Sequence, residues 1–420
     1  MGLTQRFTTK RLYVITGLGI GQILSWGSTF YLLAVLAGPI VTDTGWSSSL
    51  VVAGVSLGLI IAGLGSPRVG ALVSGNHGRA VLTASALLLA LGLATLGVAP
   101  NLWWYLGAWV ILGLGMSGGL YSGAFAVLGH TYGPSSRSAI TLLTLFGGFA
   151  STICWPLSTF LVNEFGWRWT ALIYAGAHLI ITAPLYALTI PRQPCSPTPS
   201  ARSGGPSIVV QQSVAPRWPL VVLIATISTL GTSIAALISI HMFSLLAGIG
   251  IAGTAAVILA GTIGPAQVGA RFIELIVGRR RHPLWTLLTA TFALAVAINF
   301  LGIGLLAPAI LVIVYGVGIG LSSIAHGTVP LALFGQDRYA RIMGRIALPS
   351  LLGQAAAPII GSVLIQSVGH RNTLLILGLF AVLAFILAIW LMVQYKAKCR
   401  QEAQQRSQSR QPLIPSGVGQ

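Results

Sequence analysis

Long uncharged stretches of apolar residues, separated by short polar segments, dominate the chain. Leu12 to Thr42 and Ala80 to Gly129 contain no charged residue. One helical crossing of a bilayer needs about 20 residues, so the second stretch is long enough for two crossings, with Pro100-Asn101 as the turn between them. The apolar residues do not alternate with a period of two. Helices that satisfy their own backbone hydrogen bonds are therefore predicted, rather than the strands of a barrel.

Turn residues and charges divide this pattern into twelve predicted spans, numbered here from 1 to 12 in chain order. Their approximate limits are 12–39, 47–74, 80–98, 101–129, 138–162, 168–190, 218–246, 252–277, 284–305, 308–334, 342–366 and 372–395. The predicted fold class is an all-α membrane protein. We predict a first six-helix half over 1–190, a linker over 191–217, a second half over 218–395 and a disordered tail over 396–420. The linker is rich in Pro, Ser and Gln, and the tail is polar and Gln-rich.

The two predicted halves repeat each other at an offset of 203 residues. "FGWRWTALI" at 165–173 recurs as "VGHRNTLLI" at 368–376, so that Arg168 corresponds to Arg371, and Gly113 corresponds to Gly316 in the same way. Because each half contains six spans, the two repeats run parallel across the membrane. This plan is known for transporters that hold their solute between two halves, near the middle of the bilayer.

Composition and charge support exposure to lipid. The chain is 55% hydrophobic and only 7% charged, whereas soluble proteins carry about 25% charged residues. A net charge of +18 would suggest nucleic acid as the partner of a soluble protein, but 21 of the 23 Lys and Arg residues fall on one side of the predicted spans. Only Arg168 and Arg371 fall on the other side. This asymmetry predicts a membrane protein with both termini cytoplasmic and no nucleic-acid partner. We expect it in the inner membrane of a bacterium.

Sequence signatures of a cofactor, a metal site or an enzyme are missing from the sequence. Cys154, Cys195 and Cys399 have neither metal-ligand nor redox spacing. No glycine run ends in Lys-Ser or Lys-Thr, and no paired carboxylates or Ser-His-acid set is suggested. We expect a monomer that contacts lipid and a small solute. A sensor or scaffold that does not transport is the alternative of another class.

Two segments resemble the major facilitator superfamily of transporters. "GSPRVGALVSGNHGR" at 65–79 occupies the place of that family's loop 2–3 signature, although Ser74 or Gly75 stands where the family has an aspartate that helps to lock the cytoplasmic gate. "GWSSSLVVAGVSLGLIIAGLGSP" at 45–67 resembles the monocarboxylate and oxalate/formate-like branch. The chain is also similar overall to some bacterial riboflavin transporters. The resemblance implies twelve helices in a 6+6 arrangement and transport between the halves.

Charged residues inside spans are candidates for a gate. Of five acids in the chain, only Glu274 lies well inside a predicted span, three residues after Arg271 and hence on the same helix face. Since an isolated charge in a bilayer is costly, we predict an ion pair between them. It acts as a gate or as a static pair in which Arg271 reaches toward the cytoplasm. The candidate gating residues are Arg68, Arg79, Arg271 and Glu274.

Polar and aromatic residues fall on the spans that the resemblance places around a central path. The candidate substrate-binding residues are Gln22, Trp26, Thr29, Tyr121, Ser122, Trp155, His241, Gln267, His326 and Gln354. The three aromatic side chains could stack on a planar ring, and the two histidines could carry a proton, although packing between helices explains them as well. The expected solute is a planar vitamin such as riboflavin, a monocarboxylate or other organic anion, or a drug-like molecule. Proton coupling, facilitated diffusion and the direction of transport stay open.

Overall fold

The computed structural model of the protein describes residues 9–191, 218–278 and 281–408. These residues form fourteen α-helices and no strand. The helices are α1 (Thr9–Gly27), α2 (Leu33–Thr44), α3 (Ser48–Leu72), α4 (Gly78–Gly97), α5 (Leu102–Gly119), α6 (Tyr121–Tyr132), α7 (Ser136–Gly148), α8 (Ala150–Ala177), α9 (Ala183–Thr189), α10 (Trp218–Gly248), α11 (Gly253–Val277), α12 (Pro283–Ile303), α13 (Pro308–Phe334) and α14 (Gln336–Gln408). Short π-helices, Val73–His77 and His178–Thr182, join α3 to α4 and α8 to α9.

The predicted all-α class is confirmed, and the helices match the predicted spans with instructive differences. In the described part of the chain, eight helical runs are long and apolar enough to cross a membrane, and three of these contain 50, 54 and 62 residues. Runs of that length exceed one crossing of about 20 residues. The total of twelve spans stays a prediction. The predicted linker, apart from Pro191, lies outside the described residues.

Three predicted spans are interrupted by residues that lie outside any helix. Span 1 is interrupted between α1 and α2, span 4 at Leu120, and span 5 at Phe149. Leu120 has an extended backbone (φ −88°, ψ −178°) and follows the pair Gly118-Gly119, while Phe149 follows the pair Gly147-Gly148. Glycine pairs weaken a helix because they lose more conformational freedom than other residues. The break after α1 and the break at Leu120 lie beside the central cavity described below, so they shape its wall.

The sequence repeat is also a repeat of backbone geometry. α8 bends at Gly166 (φ 78°, ψ 169°) and α14 bends at Gly369 (φ 82°, ψ 168°), positions that correspond in the two halves. After each bend an arginine donates to a backbone carbonyl near the end of an earlier helix. Arg168 donates to the Ala99 carbonyl, just after α4, at 2.7 Å, and Arg371 donates to the Gly302 carbonyl, in the last turn of α12, at 2.8 Å. The acceptors are 203 residues apart, as the donors are, so both halves use the same contact.

We expect Gly369→Ala to lower the thermal stability of the protein. A φ near +80° with ψ near 170° is open almost only to glycine, and a side chain there costs about 1–3 kcal/mol. Thermal unfolding in detergent, followed by intrinsic fluorescence, measures the effect. Gly176→Ala is the matched control, because Gly176 lies in α8 and its added Cβ would meet nothing within 4 Å. Equal melting temperatures for the two variants would contradict the assignment of the bend to Gly369.

The halves meet along α3 and the first part of α14. A Cβ added at Gly70 would collide with the Ala340 carbonyl, and one added at Gly344 with the Ser66 carbonyl. Close to this contact, Gln336 donates to the His130 carbonyl at 2.7 Å. The two backbones therefore approach each other at this end of the bundle because no side chain separates them. This is the end that the distribution of Lys and Arg predicts to be cytoplasmic.

The C-terminal helix is longer than predicted. α14 continues through Lys396, where the sequence predicted the start of a disordered tail, and ends at Gln408. Residues 396–408 are mostly Ala, Gln, Lys, Arg and Glu, which are good helix formers, so the helix that starts in the bilayer continues beyond it. The rest of the predicted tail, 409–420, lies outside the described residues.

Candidate functional site

A cavity of about 280 Å³ lies between the two halves. Its volume is close to the lower end of the range for small-molecule sites, about 300–1,000 Å³. The wall from the first half consists mainly of the segment between α1 and α2 and the start of α6. The wall from the second half consists of residues from α10, α11, α12, α13 and both parts of α14. The site is thus built from the regions where the helices of the first half are broken.

Arg271 carries the charge of the cavity. Arg271 lies on α11 and lines the cavity, and only 4% of its surface is exposed. Its Nε donates to Ser323 Oγ at 3.2 Å and to the Gly320 carbonyl at 3.4 Å, and its Nη2 donates to Gln267 Oε1 at 3.4 Å. Its Nη1 donates across to the other half, to the Thr144 carbonyl, at 3.0 Å. Every partner is neutral.

The predicted ion pair between Arg271 and Glu274 is wrong. Glu274 forms an ion pair with Arg137 instead, and Asp43 forms one with Arg168. Glu274, one turn further along α11, accepts from Thr286 Oγ1 at 2.6 Å and contacts Arg137 Nη2 at 3.5 Å. Since Arg137 belongs to the first half and Glu274 to the second, this pair joins the halves. A shared helix face did not lead to a contact, because nearer partners on α7 and α12 hold Glu274.

We expect Glu274→Gln to change the rate of solute exchange by about fivefold. The pair is partly exposed, with side chains that are 24% and 15% exposed, so it contributes about 1 kcal/mol, and 1.4 kcal/mol corresponds to a factor of ten. Exchange across proteoliposome membranes measures the rate, with Glu164→Gln on the exposed surface of α8 as the control. Unchanged kinetics would assign Glu274 a purely structural role.

Two glycines on α7 make room for the functional side chains. A Cβ at Gly148 would collide with Nη1 of Arg271, and one at Gly147 would collide with the hydroxyl of Tyr121. That hydroxyl donates to the Thr144 carbonyl at 3.4 Å, the same carbonyl that accepts from Arg271. The guanidinium and the phenol are therefore neighbours around one backbone oxygen. The sequence analysis missed both glycines, although the pair itself is visible in the sequence.

Aromatic rings form a continuous series along the first half. Trp26 contacts Tyr121 with ring centroids 5.1 Å apart, Phe30 at 5.6 Å and Tyr31 at 6.1 Å. Tyr31 in turn contacts Trp155 at 5.8 Å. Phe30 and Tyr31 line the cavity and were not among the predicted site residues. Phe30 follows Trp26 by four residues, which is the spacing of neighbours on one helix face. Helical spacing does not place Tyr31 there, and it contacts Trp26 because α1 ends at Gly27 and the chain turns.

Seven predicted residues line the cavity and seven lie elsewhere. The seven in the cavity are Trp26, Tyr121, Ser122, Gln267, Arg271, His326 and Gln354. Those elsewhere are Gln22, Thr29, Trp155, His241, Arg68, Arg79 and Glu274. The roles of all fourteen stay predictions. His326 hydrogen-bonds through Nδ1 with Ser228 Oγ at 3.3 Å. Among the described residues, no Asp or Glu lines the cavity.

Three of the candidates outside the cavity donate hydrogen bonds to backbone carbonyls. Gln22 is fully buried and donates to the Gly119 carbonyl at 2.7 Å, while its Oε1 accepts from Trp26 Nε1 at 3.2 Å, so it positions the indole. Thr29 is fully buried and donates to a backbone carbonyl of its own segment. His241 donates from Nε2 to the Pro358 carbonyl at 3.0 Å.

Three further candidates lie at the surface of the bundle. Trp155 is 43% exposed, in an open groove formed by α8 alone. Arg68 is exposed at the end of α3, and Arg79 is half-buried at the start of α4, near His130. No group of three or more His, Cys, Asp or Glu in the described ranges is close enough to hold a metal ion.

Comparisons with known proteins identify the fold. The sequence model of the Major Facilitator Superfamily matches residues 18–344. The crystal structure of the human organic anion transporter MFSD10 (TETRAN) aligns with a TM-score of 0.73 at 16% identity, covering 91% of this chain and 100% of that one. The proton:xylose symporter XylE, bound to 6-bromo-6-deoxy-D-glucose, aligns with a TM-score of 0.65 at 13% identity, covering 89% and 94%. A search of curated proteins found no match.

Proposed function

Because the chain belongs to the Major Facilitator Superfamily and is a membrane transporter rather than an enzyme, we propose that it carries small organic anions whose carboxylate binds Arg271. The family moves small solutes, and its parallel halves hold the solute between them. The observation that carries the proposal is a buried guanidinium in the central cavity without an acidic partner. A charge at such depth is costly unless it is paired, and an anionic solute supplies the missing partner.

The hydrogen bonds of Arg271 leave room for a carboxylate. A guanidinium has five N–H donors. Nε uses its single donor toward Gly320 and Ser323, and Nη1 and Nη2 each use one toward the protein. One N–H remains on each terminal nitrogen. Two N–H groups of one guanidinium can bind both oxygens of a carboxylate, which is the strongest arrangement for this pair of groups.

A neutral planar molecule such as riboflavin is the second candidate. The rings of Trp26 and Tyr121 in the cavity wall favour it. It would leave Arg271 without an anionic partner, however, so the charge of the cavity favours the carboxylate. The small volume also favours a compact solute over an extended one.

The orientation follows from the positive-inside rule. We place both termini in the cytoplasm of a bacterial cell, with the protein in the inner membrane, since 21 of 23 basic residues fall on that side of the predicted spans. In this orientation the contact between α3 and α14 closes the cytoplasmic end. Solute then reaches Arg271 from the opposite side, and separation of α3 from α14 opens the path to the cytoplasm.

Exchange in proteoliposomes tests the proposal. Vesicles that contain the purified protein are loaded with unlabelled benzoate or lactate, and the entry of labelled benzoate is followed with and without an uncoupler. We expect saturable exchange that other monocarboxylates inhibit and that the uncoupler leaves intact. Riboflavin exchange that no carboxylate inhibits would favour the second candidate. Saturable binding without any exchange would indicate a sensor that does not transport.

A further inference from the structure

We infer that the preferred anion carries an aromatic ring, which lies against Trp26 and Tyr121 while its carboxylate binds Arg271. This inference rests on the proposed function and narrows the substrate class to aryl carboxylates and closely related acids. It also assigns Trp26 and Tyr121 a role in specificity, as the side chains that recognise the ring.

The two walls of the cavity differ in chemistry. The first half contributes five aromatic side chains: Trp26, Phe30, Tyr31, Tyr121 and Phe125. The second half contributes Arg271 together with hydroxyl, amide and imidazole groups, many aliphatic side chains and one aromatic side chain, Tyr315. A solute that fits both walls has an apolar, planar side and a charged end. A short aliphatic acid such as lactate would leave the aromatic wall of the first half without a contact.

The charge and the rings lie at a suitable distance from each other. The Thr144 carbonyl accepts from Nη1 of Arg271 at 3.0 Å and from the Tyr121 hydroxyl at 3.4 Å. The Tyr121 ring therefore begins close to the guanidinium, and Trp26 follows with its centroid 5.1 Å from that of Tyr121. A carboxylate on Arg271 would place a ring that is attached directly, or through one or two carbons, beside these side chains.

The indole of Trp26 is held in position and is not covered by a parallel ring. Its Nε1 donates to Gln22, which is fully buried and fixed in turn by the Gly119 carbonyl. The neighbouring rings are tilted to the indole by 40° for Tyr31, 50° for Tyr121 and 75° for Phe30. Aromatic pairs prefer offset-stacked or edge-to-face contacts. A ligand ring can therefore add a further contact to Trp26 without displacing an existing stack.

Benzoate and cyclohexanecarboxylate provide a matched pair of probes. Both are six-membered rings with one carboxylate, and both are ionised at neutral pH. Cyclohexanecarboxylate has more apolar hydrogens, so burial of apolar surface alone favours it. An aromatic contact adds about 0.5–1.5 kcal/mol, which corresponds to about a 2- to 12-fold difference in affinity. We expect wild-type protein to bind benzoate more tightly by that factor, measured as inhibition of exchange.

Substitution of Trp26 tests the assignment of the ring site. In Trp26→Leu the benzoate preference should fall to about one or reverse, whereas Trp26→Phe should keep a preference because it keeps an aromatic face. Trp104→Leu is the matched control, since Trp104 is 53% exposed and does not line the cavity. It should keep the wild-type ratio. If Trp26→Leu does not fold, the benzoate preference of the wild-type protein and of Trp26→Phe still tests the aromatic specificity.

The outcomes separate this inference from the proposed function. Equal inhibition by the two acids in wild-type protein, or tighter inhibition by cyclohexanecarboxylate, would overturn the aromatic specificity and leave the anion proposal standing. An unchanged ratio in Trp26→Leu would overturn the role of Trp26. Absence of inhibition by either acid, with riboflavin transported, would overturn the anion proposal itself. A benzoate preference that depends on Trp26 supports both.

Discussion

Arg271→Gln is expected to lower carboxylate exchange by more than about 30-fold. Loss of one partner of a buried, hydrogen-bonded charge pair costs about 2–5 kcal/mol of binding, and 1.4 kcal/mol corresponds to a factor of ten. Arg271→Lys should also be strongly impaired, because an ammonium keeps the charge but cannot offer two parallel N–H groups to a carboxylate. Exchange of labelled benzoate in proteoliposomes, normalised to the amount of reconstituted protein, measures both variants.

If Arg271 had a purely structural role, Arg271→Gln would lower the melting temperature of the protein. The guanidinium is buried without an acid, so its replacement by a neutral side chain removes an uncompensated charge. A buried charge without a counter-charge is costly, so we expect the melting temperature of Arg271→Gln to stay the same or rise. Arg341→Gln, on the exposed surface of α14, is the control for charge and should retain exchange. If Arg271→Gln exchanged benzoate at a rate within threefold of wild type, the proposal that the carboxylate binds Arg271 would be wrong.

The second large effect is expected for Gly344→Ala. Its added Cβ would collide with the Ser66 carbonyl, a backbone atom that cannot rotate away. Overpacking of this kind costs about 1–3 kcal/mol, and an energy of that size shifts an equilibrium by about 5- to 150-fold. The arrangement with α3 against α14 is destabilised, so the population with this end open should increase and exchange should slow.

Distances between spin labels at residues 68 and 341 report that shift. Both positions are exposed, one on α3 and one on α14. In Gly344→Ala the distribution should move to longer distances, in a background in which the native cysteines are replaced by serine. Gly269→Ala is the matched control, because an added Cβ at Gly269 meets nothing within 4 Å. Identical distributions for the two variants would show that the glycine contact does not control closure.

Much of the architecture can be predicted from the sequence because lipid imposes simple rules. Uncharged stretches indicated the helices, and the 203-residue offset indicated two halves that share the bends at Gly166 and Gly369. The membership of the superfamily is confirmed. The monocarboxylate and riboflavin branches stay predictions from the sequence.

The site was harder to predict, because helical spacing defines a face but not the neighbour that the face meets. Gln22, Trp26 and Thr29 on span 1 were all predicted to bind the solute, yet only Trp26 lines the cavity, while Gln22 and Thr29 are fully buried inside the first half. Arg271 donates to backbone carbonyls of two helices distant in sequence. Every residue has a backbone carbonyl, so the residue types do not reveal which carbonyls accept. The breaks at Leu120 and Phe149 follow glycine pairs that are visible in the sequence but were not used to predict them.

The uninterrupted course of α14 after Gly369 has a practical consequence for measurement. Residues 396–408 add about 20 Å of helix beyond the predicted end of the last span. Such a rod turns with the second half as a lever arm and magnifies small rotations at its far end. A fluorophore attached after Gln408 would therefore sweep through a wider arc than one inside the bilayer, and it would give an optical readout of each turnover.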